Sequence, residues 1–376
     1  MKSLLRIKNR QFFWAVSLLL TAFLCSCGQE SNRFKNQKLD ESEISPTQII
    51  RLDKEIFQLD SCISKPAIKG DYMNLTVRIP HSDSMCLVEK IHQLQMKHKE
   101  KFNIYMRQMG AITGDFSLPP ATLFYLFISH PAYNSLFNDC EKRYEDMSDI
   151  EKEFSIALSR AKKFIPNYNV PEICTFFSGF AEYIAADAST VYISLEYFLG
   201  ADYENYKYVD GIYDYMIPNL KREKIVPDAL YNWTCSEYTL QKEGGNLLDN
   251  MIHYGKILYF IEALLPERTI YDIIGYDENK AEWCRQNEKQ MWNYLREYNQ
   301  LFSTDSKTIA DYLFPANCTK YFSTETEFAP DRAVLWLGWR IITEYMEKND
   351  SVTLNDLLND TQKDAQTILQ ESGYNP

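Results

Sequence analysis

The sequence lacks several features that would place it in a common functional class. After residue 10 it has no basic stripe or cluster and its formal net charge is −12, so nucleic acid is not expected as a partner. It contains neither G-x-x-x-x-G-K-[ST] nor G-x-G-x-x-G, the usual phosphate-cradling loops. The nucleophile elbow G-x-S-x-G is also missing. No cofactor is predicted from these motifs.

Cysteine patterning is equally uninformative. The cysteines that follow residue 27 are irregularly spaced, odd in number and form no C-x-x-C pair: Cys62, Cys86, Cys140, Cys174, Cys235, Cys284 and Cys318. Neither a disulfide framework nor a cysteine zinc site is indicated. Most of these side chains are expected to be small buried hydrophobes.

The N-terminus carries the strongest signal that is present. Basic residues up to Arg10 precede the apolar run 12–24, which is too short for an ordinary membrane span but fits a secretory signal. The run ends in LCSCG, which resembles a bacterial lipobox. We therefore expect residues 1–26 to be a lipoprotein signal peptide and Cys27 to be lipidated. Residues 27–46 are polar and are expected to form a flexible tether.

Composition favours one folded domain over residues 47–376, since 45% of the chain is hydrophobic and 14% aromatic and no later linker is seen. The fold class expected is α+β, predominantly helical, with a small sheet among many helices. Short apolar runs predict strands at 48–52, 173–177 and 191–195. Apolar periodicity predicts helices at 84–108, 121–130, 131–143, 150–164, 228–240, 245–266, 277–301, 306–313, 331–348 and 354–369.

The helix predicted at 245–266 is the centre of the chain. Its last two turns are apolar nearly all round, so it is expected to enter the core. Glu262 projects onto the apolar sector, where a lone carboxylate is costly unless it is paired. We predict a buried ion pair between Glu262 and Arg340, or Arg332, of the other apolar helix. His253 lies on the polar sector, which remains a candidate contact surface.

Two strands followed by two helices, the second with a small residue, also resemble the layout of zincin metallopeptidases. Those enzymes carry H-E-x-x-H on the first helix and a third metal ligand on the second. Here Ser236 and Leu240 occupy the histidine positions, Glu237 keeps the glutamate, and Tyr254 stands at the third ligand. The resemblance implies a degenerate zincin-like core without a metal ligand.

Several longer blocks resemble the gliding motility lipoprotein GldB family of Bacteroidetes. They include FIPNYNVPEICTFFSGF, SLEYFLGADYENY, GNLLDNMIHYGKILYFIEALLP and AVLWLGWRI, and extend in chain order to about residue 350. The resemblance places Arg51 and Asp53 in the family's first block and Asp228, Lys256 and Trp339 in later ones. It implies an envelope lipoprotein without demonstrated catalysis, associated with gliding motility and type IX secretion.

The function expected is that of a non-catalytic scaffold or binding component, held on a membrane by the lipid on Cys27 and contacting other envelope proteins. The outer membrane, facing the periplasm, is the expected location, because residues 28–30 carry no obvious inner-membrane retention signal. Two alternatives stay open. One is a residual hydrolase that uses Glu237 or a non-metal route. The other is a glycan-binding outer-membrane lipoprotein, suggested by the 26 tyrosines and 21 phenylalanines.

Overall fold

The computed structural model describes residues 33–64, 79–113, 118–240, 244–316, 320–322, 329–360 and 362–376, with the backbone alone for 108–113. The predicted signal peptide, the predicted lipidation site Cys27, and Cys318 lie outside the described residues. The strands are β1 (Ile49–Arg51), β2 (Glu172–Phe176), β3 (Ile184–Ala186) and β4 (Thr190–Ser194).

The helices surround this small sheet, as the predicted α+β, predominantly helical class requires. In chain order they are α1 (Leu52–Phe57), α2 (His81–His98), α3 (Glu100–Thr113), α4 (Pro120–Ser129), α5 (Pro131–Arg143), α6 (Ser148–Phe164), α7 (Ile225–Glu237), α8 (Leu247–Leu264), α9 (Ile270–Ile274), α10 (Glu278–Glu297), α11 (Ser306–Leu313), α12 (Ala333–Lys348), α13 (Leu354–Asn359) and α14 (Ala365–Ser372).

The four strands form one mixed sheet in the order β1-β2-β4-β3. The first three are parallel, with Ile49 opposite Ile173 and Ile173 opposite Val191. β3 runs antiparallel to β4 and forms the edge. β2 and β4 are buried almost throughout, which matches their continuous β-branched and aromatic sequence.

Two predicted helices are each divided in the structure, and one strand was not predicted. The helix expected at 84–108 is two helices, because the backbone turns at Lys99, which has a φ of +49°. The last helix, expected at 354–369, is also two helices, α13 and α14, each starting at its own N-cap, Thr353 and Asp364. β3 was not predicted, since three residues ending in two alanines carry little strand signal.

The predicted central helix is α8, and it packs directly on α12. Gly255 and Gly338 face each other at the crossing. A methyl group on Gly255 would overlap the carbonyl group of Gly338, and one on Gly338 would overlap the carbonyl of Met251. The two backbones therefore lie in contact, which only glycine at both positions allows.

Residues 33–46 correct the expectation of a flexible tether for that part of the chain. Phe34 is buried and meets the ring of Tyr259 edge-on, with centroids 5.4 Å apart. The backbone N–H of Ser45 donates to Ser159 Oγ on α6 at 2.9 Å. The polar composition of the segment concealed this docking, because only one of its contacts is made by an aromatic side chain.

Cys62 and Cys86 form a disulfide bond, with their Cα atoms 5.5 Å apart. The sequence carries no indication of a disulfide framework, and this one bond was not predicted. The bond joins the segment after α1 to α2. Three of the remaining described cysteines, Cys140, Cys174 and Cys284, are buried free thiols, as the sequence predicted.

We predict that Gly338→Ala destabilises the fold by about 1–3 kcal/mol, because the added methyl group meets backbone that cannot rotate away. This loss exceeds the gain of about 1 kcal/mol in helix propensity that alanine brings. Urea unfolding measures the difference, with Gln290→Ala on the exposed face of α10 as the control. Equal or greater stability of Gly338→Ala would contradict the close crossing.

Candidate functional site

Glu262 on α8 is buried and charge-paired, but with a different partner from the one predicted. Its Oε2 accepts a hydrogen bond from Trp339 Nε1 at 2.8 Å. Arg33 Nε lies 3.9 Å from the same oxygen, and its guanidinium carbon lies 5.8 Å from the centre of the Trp339 ring. The docked N-terminal segment therefore supplies the cation.

The predicted pairing of Glu262 with Arg340 is wrong. Arg340 Nε donates to Glu288 Oε1 on α10 at 2.8 Å, and Arg332 pairs with Asp331 at 2.9 Å. Neighbouring residues on a helix point about 100° apart. Because Trp339 faces α8, Arg340 is turned towards α10.

The four zincin-equivalent positions do not converge on one point. Ser236 Oγ donates to the carbonyl of Trp233 in its own helix at 2.8 Å. Tyr254 stacks on Tyr231 of α7, with ring centroids 6.5 Å apart. Glu237 and Leu240 instead line a cavity beside α8 that neither Ser236 nor Tyr254 lines. Among the described residues, no group of three or more His, Cys, Asp and Glu side chains is placed to hold a metal ion.

That cavity, of about 430 Å³, lies between the polar face of α8, the end of α7 and the helices α13 and α14. We call it the α8 cavity. His253 and Lys256 project into it from successive turns of α8, and Asp360 and Lys363 line the opposite wall. In the part of the chain that the structure describes, neither His253 nor Lys256 has a hydrogen-bond or ion-pair partner.

Burial lowers the pKa of both side chains. It lowers the pKa of His253 to about 4, and the nearby Lys256 ammonium adds to the effect, so the imidazole is neutral at pH 7. Burial also lowers the pKa of Lys256, an effect that the negative charge of Asp360 partly offsets. The α8 cavity thus presents a neutral imidazole beside an amine that lacks a counter-ion in contact with it.

A second cavity, of about 660 Å³, lies between the segment before α7 and the helices α9 and α10. Two of its cations are already paired with carboxylates. Arg268 donates two hydrogen bonds to Glu153, at 2.6 and 2.9 Å, and Lys224 contacts Asp228 at 2.8 Å. These contacts hold the fold together, and we do not assign this cavity a ligand.

A buried polar cluster lies at the carboxyl ends of the parallel strands. Arg51 donates to both oxygens of Asp53, at 3.0 and 2.8 Å, and Thr175 donates to Asp53 at 2.6 Å. Next to it, Glu196 Oε1 accepts hydrogen bonds from the backbone and hydroxyl of Ser178, both at 2.7 Å. The Arg51–Asp53 pair is closely packed and its donors are used, which indicates a structural role.

Glu196 is fully buried, and its Oε2 has no hydrogen-bond partner among the described residues. Burial raises the pKa of this carboxyl from 4.5 to about 7, although the hydrogen bonds from Ser178 act in the opposite direction. No sequence pattern indicates this group, because an acid at the end of a predicted strand, as in Leu195-Glu196-Tyr197, is typical of a solvent-exposed position.

We predict that Trp339→Phe lowers the free energy of unfolding by about 1–3 kcal/mol more than Trp336→Phe, as measured by urea denaturation. The first change removes the donor to a buried carboxylate. The second is a matched control on the same helix, since Trp336 Nε1 has no partner among the described residues. Equal losses in the two variants would show that the bond to Glu262 contributes nothing.

We predict that Glu196→Gln removes a pH-dependent loss of stability. Above pH 4.5 the unfolded chain releases the Glu196 proton, while the folded chain keeps it until about pH 7. Folding of the wild type therefore weakens as the pH rises through this window, by on the order of 3 kcal/mol.

Unfolding free energies of both proteins between pH 5 and 8 measure this effect. The wild type should lose stability relative to Glu196→Gln as the pH rises. Parallel curves would mean that Glu196 titrates near its ordinary pKa.

Among known proteins, the chain matches one family. The chain matches the family model described as gliding motility protein GldB over residues 75–376. No curated protein and no solved structure matches the chain significantly. Among the described residues, no helix has both the length and the hydropathy needed to cross a membrane. Since the matched region is most of the chain, this protein belongs to the gliding motility GldB family.

Proposed function

We propose that this protein is a lipid-anchored, non-catalytic binding or scaffold component of the cell envelope, related to the gliding motility or type IX secretion machinery. The anchor is the lipid on Cys27, and the location is the outer membrane facing the periplasm. Family membership supports a motility-related envelope lipoprotein. The binding or scaffold role goes beyond family membership and is our proposal.

The observation that carries the non-catalytic role is the use of the metal-ligand positions for packing. Ser236 donates to a carbonyl of its own helix, and Tyr254 stacks on Tyr231 across the α7–α8 contact, so both side chains already have structural partners. A peptidase of the zincin type needs two imidazoles and a third ligand around one zinc ion. Glu237, exposed at the end of α7, has no polarised water to activate in such an arrangement.

The docked N-terminal segment supports a close membrane attachment. Arg33 follows Cys27 by six positions, and six fully extended residue steps span about 20 Å at most. Arg33 is fixed on the domain by Glu262 and by Glu347, whose Oε1 lies 3.0 Å from its Nη1. The face around Arg33 therefore lies within about 20 Å of the lipid when Cys27 is acylated.

Membrane fractionation tests the anchor. We expect the full chain to sediment with membranes and the Cys27→Ser variant to appear in the soluble fraction, because acyl chains contribute about 0.8 kcal/mol per buried methylene. Cys235→Ser, which changes a half-buried thiol of the domain, is the matched control and should stay with membranes. Membrane retention of Cys27→Ser would contradict lipid anchoring at this residue.

A peptidase assay tests the non-catalytic role. The full chain in detergent, with zinc added, should cleave an unstructured peptide library no faster than its Glu237→Gln variant, as read by mass spectrometry. Cleavage that disappears in Glu237→Gln would establish the residual hydrolase instead.

A further inference from the structure

The α8 cavity contains two nitrogen groups whose hydrogen-bonding capacity is unused. His253 and Lys256 are spaced i and i+3 on α8, so their side chains lie side by side on one face. Neither has a partner in the described part of the chain. An amine that is half-buried without a counter-ion costs free energy, and an anion in the cavity would offset that cost.

The second lysine of the cavity and two of its acids are already engaged. Lys363 Nζ contacts Glu371 at 2.6 Å and the Tyr345 hydroxyl at 3.0 Å. Asp360 accepts the backbone N–H of Gln362 at 2.7 Å, and Asp364 accepts that of Thr367 at 2.8 Å. Lys256 and His253 are therefore the groups available to a ligand.

The surrounding charge selects the kind of anion. Glu237, Asp249, Asp360 and Asp364 all line the α8 cavity, so a phosphate dianion would meet repulsion there. A carboxylate carries one charge, which the Lys256 ammonium balances, and its second oxygen can accept the N–H of the neutral imidazole. A cavity of about 430 Å³ has room for one or two amino-acid residues beside that carboxylate.

We propose that the α8 cavity binds the carboxylate of a small peptide-like acid, either a free ligand or the C-terminal residue of a partner protein, between Lys256 and His253. This proposal deepens the binding role given above and rests on it. α8 is the most deeply buried helix beside the cavity, so both groups are held in place before a ligand arrives.

The test is a titration of the full chain in detergent, with histidine labelled by 15N. The chain has five histidines, and His253→Gln assigns the signal of interest. The probes are acetate, dialanine, a decapeptide with a free C-terminus, the same decapeptide amidated, and inorganic phosphate. We expect saturable shifts of the His253 signal with dialanine and with the free-acid decapeptide, and at least tenfold weaker binding after amidation.

Two variants separate the amine from general charge. Lys256→Met should weaken binding of the carboxylate at least tenfold, whereas Lys256→Arg should retain it. Lys289→Met, on the exposed face of α10, is the matched control and should bind as the wild type does. A thermal melt of each variant shows that it is folded. The comparison of the free and the amidated peptide uses the wild type alone, so it does not depend on the folding of any variant.

Three results would overturn the proposal: no saturable shift of His253 with any carboxylate, equal affinity for the amidated decapeptide, or tighter binding of phosphate. Saturation by dialanine and the decapeptide alike supports a free ligand, and saturation by the decapeptide alone supports a protein C-terminus. Mass spectrometry of the recovered decapeptide tests the non-catalytic role separately. Cleavage of the peptide would refute that role. A shift of the His253 signal that amidation abolishes would still support the carboxylate site.

Discussion

The contact between α8 and α12 at Gly255 and Gly338 is the constraint on which the rest of the structure depends. With no side chain at either residue, the two backbones meet, and the neighbouring side chains are brought to fixed positions. Trp339, next to Gly338, reaches Glu262 for this reason. The resulting buried carboxylate then fixes Arg33, and with it the start of the domain.

This arrangement gives α8 two separate roles. One side is occupied by α12 and the N-terminal segment, which hold the helix rigid. The other side carries His253 and Lys256 into the α8 cavity, where the surrounding helices leave their polar atoms unused. A rigid helix that presents two unsatisfied groups suits binding, because little ordering is needed when a ligand arrives. Attachment of the same helix to the N-terminal segment also fixes the position of Arg33 relative to the cavity.

Much of the fold follows from local sequence pattern. α8 lies within two residues of its predicted bounds at each end, since 3.6-residue periodicity and an N-cap asparagine mark it clearly. β2 and β4 each begin one residue before the predicted start for similar reasons. The break at Lys99 could not be predicted, because no glycine or proline signals it.

The candidate site could not be predicted in the same way, because it depends on contacts between distant parts of the chain. A buried glutamate within an apolar helix correctly implied that Glu262 needs a partner, but Arg33 comes from a segment whose composition is that of a tether. The pairing of Cys62 with Cys86 has no spacing signature, and the unused state of Lys256 depends on where α13 and α14 pack. Periodicity places a residue on a helix face, whereas the partner of that face is a tertiary property.

Native-state hydrogen exchange tests the central claim most directly, namely that α8, α12 and residues 33–46 form one cooperative unit. The account predicts that core amides of α8 and α12 exchange only through global unfolding. It also predicts that the amide of Ser45, bonded to Ser159, is protected about 100-fold or more over a free chain. Exchange of the Ser45 amide at the free-chain rate, or opening of α8 independently of α12, would contradict it.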